Sequence, residues 1–302
     1  MIDLTVEFAG YTLKNPITTA SGTFGSGMEY SGFVDLGRLG AVTTKGVSDK
    51  PWEGNPTPRV TETPSGMMNA IGLQNPGVDV FIERDLGFLE AFDVPVIVNV
   101  CGHSEEEYEA VLERLSEDRR VSMFEINVSC PNVKQGAIQF GTDPDMLTDI
   151  TKKCKAKAGK KPVIMKLTPN VTSIADMARA AEEGGADGIS LINTLTAMKI
   201  DIYRRSFVLA NKTGGLSGPA IHPVAVRMVY EASHAVKIPV IGMGGVASYE
   251  DAVELMMAGA SVVGVGMMNF AEPDITIRII DGIERYMKDT GLERIRDITG
   301  IL

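Results

Sequence analysis

Two hydrophobic patterns alternate along this chain. Short, continuous runs of apolar residues, rich in Val and Ile, recur at residues 17–20, 41–44, 94–98, 124–127, 163–167, 188–192, 239–242 and 261–265. Their continuity fits strands covered on both faces, whereas a sheet with one wet face would alternate polar and apolar positions. Between the runs lie longer stretches with helix-start signals. Ser104 with Glu107 reads as a capping box, Thr142-Asp143-Pro144 as a cap followed by a first-turn proline, and Ser248 with Asp251 as another acidic helix start. Gly-Ala recurs as Gly40-Ala41, Gly185-Ala186 and Gly259-Ala260, each where a helix should stop and a strand begin. Strand-then-helix order predicts a parallel sheet, and eight such units over residues 1–302 predict an α/β fold, a single (β/α)8 TIM barrel forming one domain.

Three connections exceed a minimal turn: residues 45–80, 128–142 and 193–222. All follow strands, so they fall on the C-terminal face, where barrels of this architecture build their sites. Pro51, Pro56, Pro58 and Pro64 make the first a partly stiffened excursion. Residues 5–13, turning near Gly10, predict a small hairpin that plugs the opposite end.

Composition narrows the function. A hydrophobic content of 44% supports a large core, and a net charge of −10 argues against a nucleic-acid surface. The cationic cluster Lys152, Lys153, Lys155 and Lys157 reads as a solvated helix face. Cys101, Cys130 and Cys154 give neither a disulfide framework nor metal-ligand spacing, and His103, His222 and His234 read as structural or surface residues. The opening residues alternate with acidic positions instead of running from basic to apolar, and no apolar run approaches the roughly 18 residues needed to span a bilayer. The expectation is a soluble protein of the cytoplasm, without a membrane anchor.

Candidate chemistry begins at Phe124-Glu125-Ile126-Asn127-Val128-Ser129-Cys130-Pro131-Asn132, where an apolar run stops at a thiol and carboxamides. Packing alone does not call for that ending, because proline removes a ladder donor and buried amides need partners. No histidine lies nearby in sequence to make a nucleophile pair, so Cys130 reads as a general base, with an inert buried thiol as the alternative. Cys101 and Cys154 read as inert. Lys45 and Lys166 end strands and aim into the barrel mouth or interior. One reading pairs each with a carboxylate; the other has one neutralise charge building on a reduced cofactor while the other meets a substrate or cofactor oxygen. Asn69, Asn99, Asn127, Asn132 and Asn193 form a set of donors and acceptors suited to a flat, amide-containing substrate, although each could be turn chemistry. Late in the chain, Gly242-Met243-Gly244-Gly245 and Gly264-Val265-Gly266-Met267 place glycine turns after strands seven and eight, the usual phosphate site of such barrels. A dinucleotide-binding reading of residues 242–247 is disfavoured, since that turn lies in the seventh unit and no acidic residue follows at the ribose distance.

These segments resemble one family. Asn15-Pro16, Ala20-Ser21-Gly22, residues 54–59, residues 69–77, residues 127–132, Lys166-Leu167-Thr168-Pro169-Asn170-Val171, residues 214–219 and residues 242–246 are similar, in order and over nearly the whole chain, to the dihydroorotate dehydrogenases of pyrimidine synthesis, and within them to the type 1B catalytic subunits. The resemblance implies FMN in the barrel and oxidation of dihydroorotate to orotate, with Cys130 removing a proton from substrate C5 while hydride passes from C6 to flavin N5. It also implies that Ser21, Lys45, Gly46, Asn99, Asn127, Lys166, Ile192, Gly218, Gly244, Gly245, Gly266 and Met267 line the FMN site. Lys45, Asn69, Ile71, Gly72, Leu73, Asn127, Asn132, Asn193 and Thr194 would hold the substrate, and no metal is implied. Relatives often carry Thr where Met267 stands, which removes a side-chain hydroxyl contact but not a backbone one. The chain has neither an iron-sulfur cysteine cluster nor a second nucleotide-binding domain, so electrons would leave through a partner. By the resemblance that partner carries FAD and a two-iron two-sulfur cluster, passes electrons to NAD, and assembles with the catalytic chains as a heterotetramer of two of each subunit. A stand-alone type 1A enzyme using fumarate, an FMN-dependent reductase of another flat heterocycle and a non-catalytic FMN or phosphate-binding barrel are the alternatives.

Overall fold

The computed structural model describes residues 2–129 and 137–302, without the side chains of residues 137–139. Eight parallel strands form one sheet: β1 (Ile17–Thr19), β2 (Val42–Thr43), β3 (Val96–Val100), β4 (Met123–Asn127), β5 (Val163–Lys166), β6 (Gly188–Leu191), β7 (Val240–Met243) and β8 (Val262–Val265). Neighbours in the sheet are neighbours in sequence, and β8 pairs with β1. A parallel bridge between Thr18 and Ala41 closes the circle. Since β2 is only two residues long, threonine hydroxyls complete this seam: Thr18 Oγ1 donates to the Ala41 carbonyl at 3.0 Å, and Thr43 N donates to Thr19 Oγ1 at 3.0 Å. The predicted barrel is therefore the observed one.

Two details differ from expectation. Strand β3 starts at Val96 and runs to Val100, because Pro95 has no N–H for the ladder and Val94 N is held in a turn by the Phe92 carbonyl. The first unit has only the short 3₁₀ turn Leu36–Arg38 among its described residues. Gly22, Gly25 and Gly27 precede it with φ of 92°, 58° and 92°, a backbone that cannot propagate a right-handed helix. The other units carry helices, including Glu105–Leu115, Pro144–Lys157, Ile174–Glu183, His222–Ser233, Tyr249–Met257 and Ile275–Thr290.

The helix starts follow the sequence signals, with one change. Asp143 Oδ1 accepts from Met146 N at 3.0 Å, and Ser248 Oγ accepts from Asp251 N at 3.3 Å while Asp251 reaches back to Ala247 N at 2.9 Å. Ser104 is an N-cap by position but makes no side-chain cap bond; Glu107 accepts instead from His103 N at 2.6 Å. Helix stops at Gly185 and Gly259 use φ of 90° and 117°.

At the N-terminal end, Val6–Phe8 pairs with Tyr11–Leu13 through a turn with φ of 49° at Ala9 and 84° at Gly10. The Phe8 ring lies 3.0 Å from where a β-carbon at Gly188, the first residue of β6, would stand, so the hairpin plugs the barrel floor as predicted. At the other end the two longest loops contribute an antiparallel sheet in the order Leu195–Met198, Thr213–Ser217, Gly66–Asn69, Val60–Thr63. This roof was expected only as two excursions. The largest cluster of buried apolar side chains runs from Val6 to Ile298. Among the described residues, no helix is long and apolar enough to cross a membrane.

Candidate active site

Between the strand ends and the roof lies a cavity of about 360 Å³. Ser21, Lys45, Asn127, Lys166, Ile192, Gly218, Gly244, Gly245, Gly266 and Met267 of the expected cofactor set line it. So do Asn69, Ile71, Gly72, Leu73, Asn193 and Thr194 of the expected substrate set. Gly46 and Asn99 do not line it: Gly46 faces a neighbouring cavity beside Trp52 and Asn75, and Asn99 is fully buried. The two are neighbours, with room between them only for a residue without a side chain: a β-carbon at Gly46 would lie 3.0 Å from Asn99 Oδ1. Cys130 and Asn132 lie outside the described residues.

The floor of the cavity is a buried charged network. Glu125 in β4 is fully buried, accepting from Ser190 Oγ of β6 at 2.7 Å and from Asn99 Nδ2 of β3 at 2.5 Å. Lys166 Nζ, at the end of β5, stands 3.4 Å from Glu125 Oε2 with its side chain 4% exposed. The register explains the meeting: Glu125 pairs with Ile164, and Lys166 is two residues further on the same face. Of the two readings of Lys166 offered by sequence, pairing with a carboxylate is thus realised, and the same ammonium also lines the cavity. Unpaired, either charge would be costly at this depth. Glu125 stood in plain view within the motif but gained no role from sequence, because its partners come from other strands.

Above the floor, two amides converge on Ser129. Asn127 Oδ1 accepts from Ser129 Oγ at 3.0 Å and from Ser129 N at 3.3 Å. Asn193 Nδ2 donates to Ser129 Oγ at 2.7 Å, and Asn193 Oδ1 accepts from Thr194 N at 2.8 Å. Tyr108 Oη donates to the Asn127 carbonyl at 2.9 Å. The carboxamides expected to read a substrate edge therefore also fix the residue that precedes Cys130.

The glycine turns converge at one end. A β-carbon at Gly218 would lie 2.5 Å from Met267 Cε, and one at Gly245 would lie 2.9 Å from the Gly218 carbonyl and 2.8 Å from His222 N. With φ of 131° at Gly244 and 73° at Gly245, only glycine fits this wall, leaving backbone groups facing the cavity. Such a surface suits an anionic group approached closely by peptide N–H groups. Arg59, Met67 and Phe270 also line the cavity and had not been singled out individually; the guanidinium of Arg59 donates to Gln74 Oε1. Of the cysteines expected to be inert, Cys101 is buried, and burial pushes the Cys154 thiol up to about 12.

Fold and cavity together define a class: a (β/α)8 barrel with a roofed cavity at its C-terminal mouth, walled at one end by glycine turns and lined by a buried lysine paired with Glu125. Comparison with known proteins narrows it. The family description "Dihydroorotate dehydrogenase" matches residues 3–287. The dihydroorotate dehydrogenase B (NAD(+)) catalytic subunit of Lachnoclostridium phytofermentans is 63% identical over 295 residues, covering 98% of both chains. The protein of the same description from Alkaliphilus metalliredigens is 54% identical over 301 residues, covering 100% of this chain and 99% of its own. In architecture, the crystal structure of an Eimeria tenella DHODH in complex with ferulenol superposes with a TM-score of 0.84 at 23% identity, over 99% of this chain and 88% of that one. The chain belongs to the dihydroorotate dehydrogenase family.

Proposed function

We propose that this chain is the FMN-bearing catalytic subunit that oxidises dihydroorotate to orotate in pyrimidine biosynthesis, with NAD as the final acceptor reached through a partner subunit. The observation that carries the reading is the match along 98% of the chain to a relative named as the catalytic subunit of an NAD-using dihydroorotate dehydrogenase. The cavity supports it on independent grounds. Its wall of Gly218, Gly244, Gly245 and Gly266, with Met267 beside them, suits a terminal phosphate, and the buried ammonium of Lys166 suits a ring system that gains negative charge. FMN, when bound there, supplies the acceptor for the substrate hydride.

The chain's own residues then have defined tasks. Ser21, Lys45, Asn127, Ile192 and Lys166 hold the cofactor, with Gly46 and Asn99 bracing that wall from behind. Asn69, Ile71, Gly72, Leu73, Asn193 and Thr194, with Lys45, Asn127 and Asn132, hold the flat substrate under the roof. Cys130 takes the proton from substrate C5, and Asn127 and Asn193 hold Ser129, the residue before it in sequence. Lys166 holds its positive charge in place before the reaction starts, so no reorganisation is needed as charge develops. The electrons leave through a partner carrying FAD and a two-iron two-sulfur cluster, in a heterotetramer with two copies of each subunit.

Two rapid-mixing experiments test these roles. Lys166→Met should slow reduction of the flavin by dihydroorotate about 100-fold or more while weakening orotate binding far less. Cys130→Ser should also slow the reduction, and its dependence on pH should change because the titrating thiol is gone. Wild-type reduction rates in both variants would refute the assignment.

A further inference from the structure

We propose that His222 is a positioning residue for the phosphate-binding turn, acting by holding the Gly244 carbonyl so that the Gly245 N–H faces the cavity; this rests on the FMN reading above. His222 is buried at the start of the helix His222–Ser233 and is not a cavity-lining residue. Its Nδ1 lies 2.9 Å from the Gly244 carbonyl oxygen. A carbonyl only accepts, so Nδ1 carries the proton and donates. Its Nε2 faces Glu254 Oε2 at 3.1 Å and Asp251 Oδ1 at 3.6 Å, both on the helix Tyr249–Met257 that follows β7. A ring with protons on both nitrogens donates at both ends, to the Gly244 carbonyl through Nδ1 and toward the Glu254 carboxylate through Nε2.

Peptide geometry turns that bond into an orientation. The Gly244–Gly245 peptide is trans, so its C=O and N–H point in opposite directions. With the carbonyl drawn toward His222, behind the cavity wall, the Gly245 N–H is presented to the cavity that both glycines line. Glycine at φ of 131° and 73° has wide freedom to rotate that peptide the other way. The backbone alone does not choose; the imidazole does. The three donor atoms of His222, Asp251 and Glu254 lie within 4.8 Å of one another, a spacing open to a metal ion. Asp251 is however already engaged by Ala247 N and Ser248 Oγ, and Glu254 is 59% exposed, so the cluster reads as a brace.

Two near-isosteric variants separate the ring's contacts. In His222→Asn the amide nitrogen can stand where Nδ1 stood and keep the Gly244 bond; in His222→Gln it can stand where Nε2 stood and keep only the carboxylate bond. Binding of FMN and of riboflavin, which lacks the phosphate, is measured by flavin fluorescence on the flavin-stripped full chain, with thermal melts as a folding control. His222→Gln should weaken FMN about tenfold or more and riboflavin by less than about twofold, whereas His222→Asn should stay near wild type for both. Equal losses for FMN and riboflavin, no loss in His222→Gln, or Asn behaving no better than Gln would overturn the proposal. A wild-type chain that takes up no FMN would instead remove the reading beneath it.

Discussion

Replacing Glu125 by Gln removes one charge from a fully buried network while keeping its shape. The perturbed contact is the one between Glu125 Oε2 and Lys166 Nζ at 3.4 Å, where the partners' side chains are 0% and 4% exposed. At an effective dielectric of about 20, unit charges at that separation attract by about 5 kcal/mol. Removing one member of a buried pair generally costs about 3–5 kcal/mol, because the other charge is left uncompensated. The remaining partners cannot make this good. Ser190 Oγ and Asn99 Nδ2 each donate to the carboxylate, and a Gln amide offers only one oxygen to accept from them. Glu125→Gln should therefore lose about 3–5 kcal/mol, moving the urea midpoint of the flavin-stripped chain down by about 1 M or more. Unfolding can be followed by far-UV circular dichroism and by the fluorescence of Trp52, the protein's one tryptophan. Lys166→Met should be destabilising by the same logic, and the double variant should lose less than the sum of the two by at least about 2 kcal/mol. A Glu125→Gln loss below about 1 kcal/mol, or losses that simply add, would refute the coupling.

Other expectations follow from single contacts. Gly245→Ala should lose FMN and destabilise the fold by about 1–3 kcal/mol, since its β-carbon would meet His222 N at 2.8 Å on a backbone with φ of 73°; retention of FMN at wild-type affinity would contradict this. Cys154, whose thiol burial pushes up to about 12, should resist iodoacetamide at about pH 8 until the chain unfolds, as read by peptide mass spectrometry; labelling at the rate of a free thiol would contradict it. The side-chain hydrogen bond from Arg120 holds the Asp118 carboxyl below its ordinary range, with Arg120 Nη2 at 2.6 Å. A lowered folded value means stabilisation that is present above the unfolded value and lost as pH falls through the folded one. Asp118→Asn should hence cost about 1 kcal/mol near pH 7 and progressively less in acid; a cost independent of pH would refute the pairing.

What sequence conveyed and what it withheld divide along locality. The eight strands were legible because each is a continuous apolar run, and the floor hairpin because Gly10 marks its turn. The missing first helix was also written locally, in Gly22, Gly25 and Gly27, but regular unit counting passed over it. The roof was not legible: Gly66–Asn69 pairs with Thr213–Ser217, and no local pattern announces a partner so far along the chain. Glu125 shows the same limit at the site. A carboxylate amid apolar strand residues is a local anomaly, yet Asn99, Lys166 and Ser190 come from three other strands, and only their register makes a network of them. One faint signal existed, since each of these four barrel strands carries at least one buried polar or charged residue amid apolar ones: Asn99, Glu125 with Asn127, Lys166 and Ser190. His222, read as structural or surface, is structural in a particular sense: it braces a glycine turn rather than filling space.

The most direct test of the whole reading is an anaerobic titration of the purified yellow protein with dihydroorotate, followed by flavin absorbance near 450 nm, at about one equivalent per chain. Stoichiometric bleaching with release of orotate, reversed by NAD only when the partner subunit is added, is the predicted result. A flavin that stays oxidised under saturating dihydroorotate, yet bleaches with a chemical reductant, would contradict it.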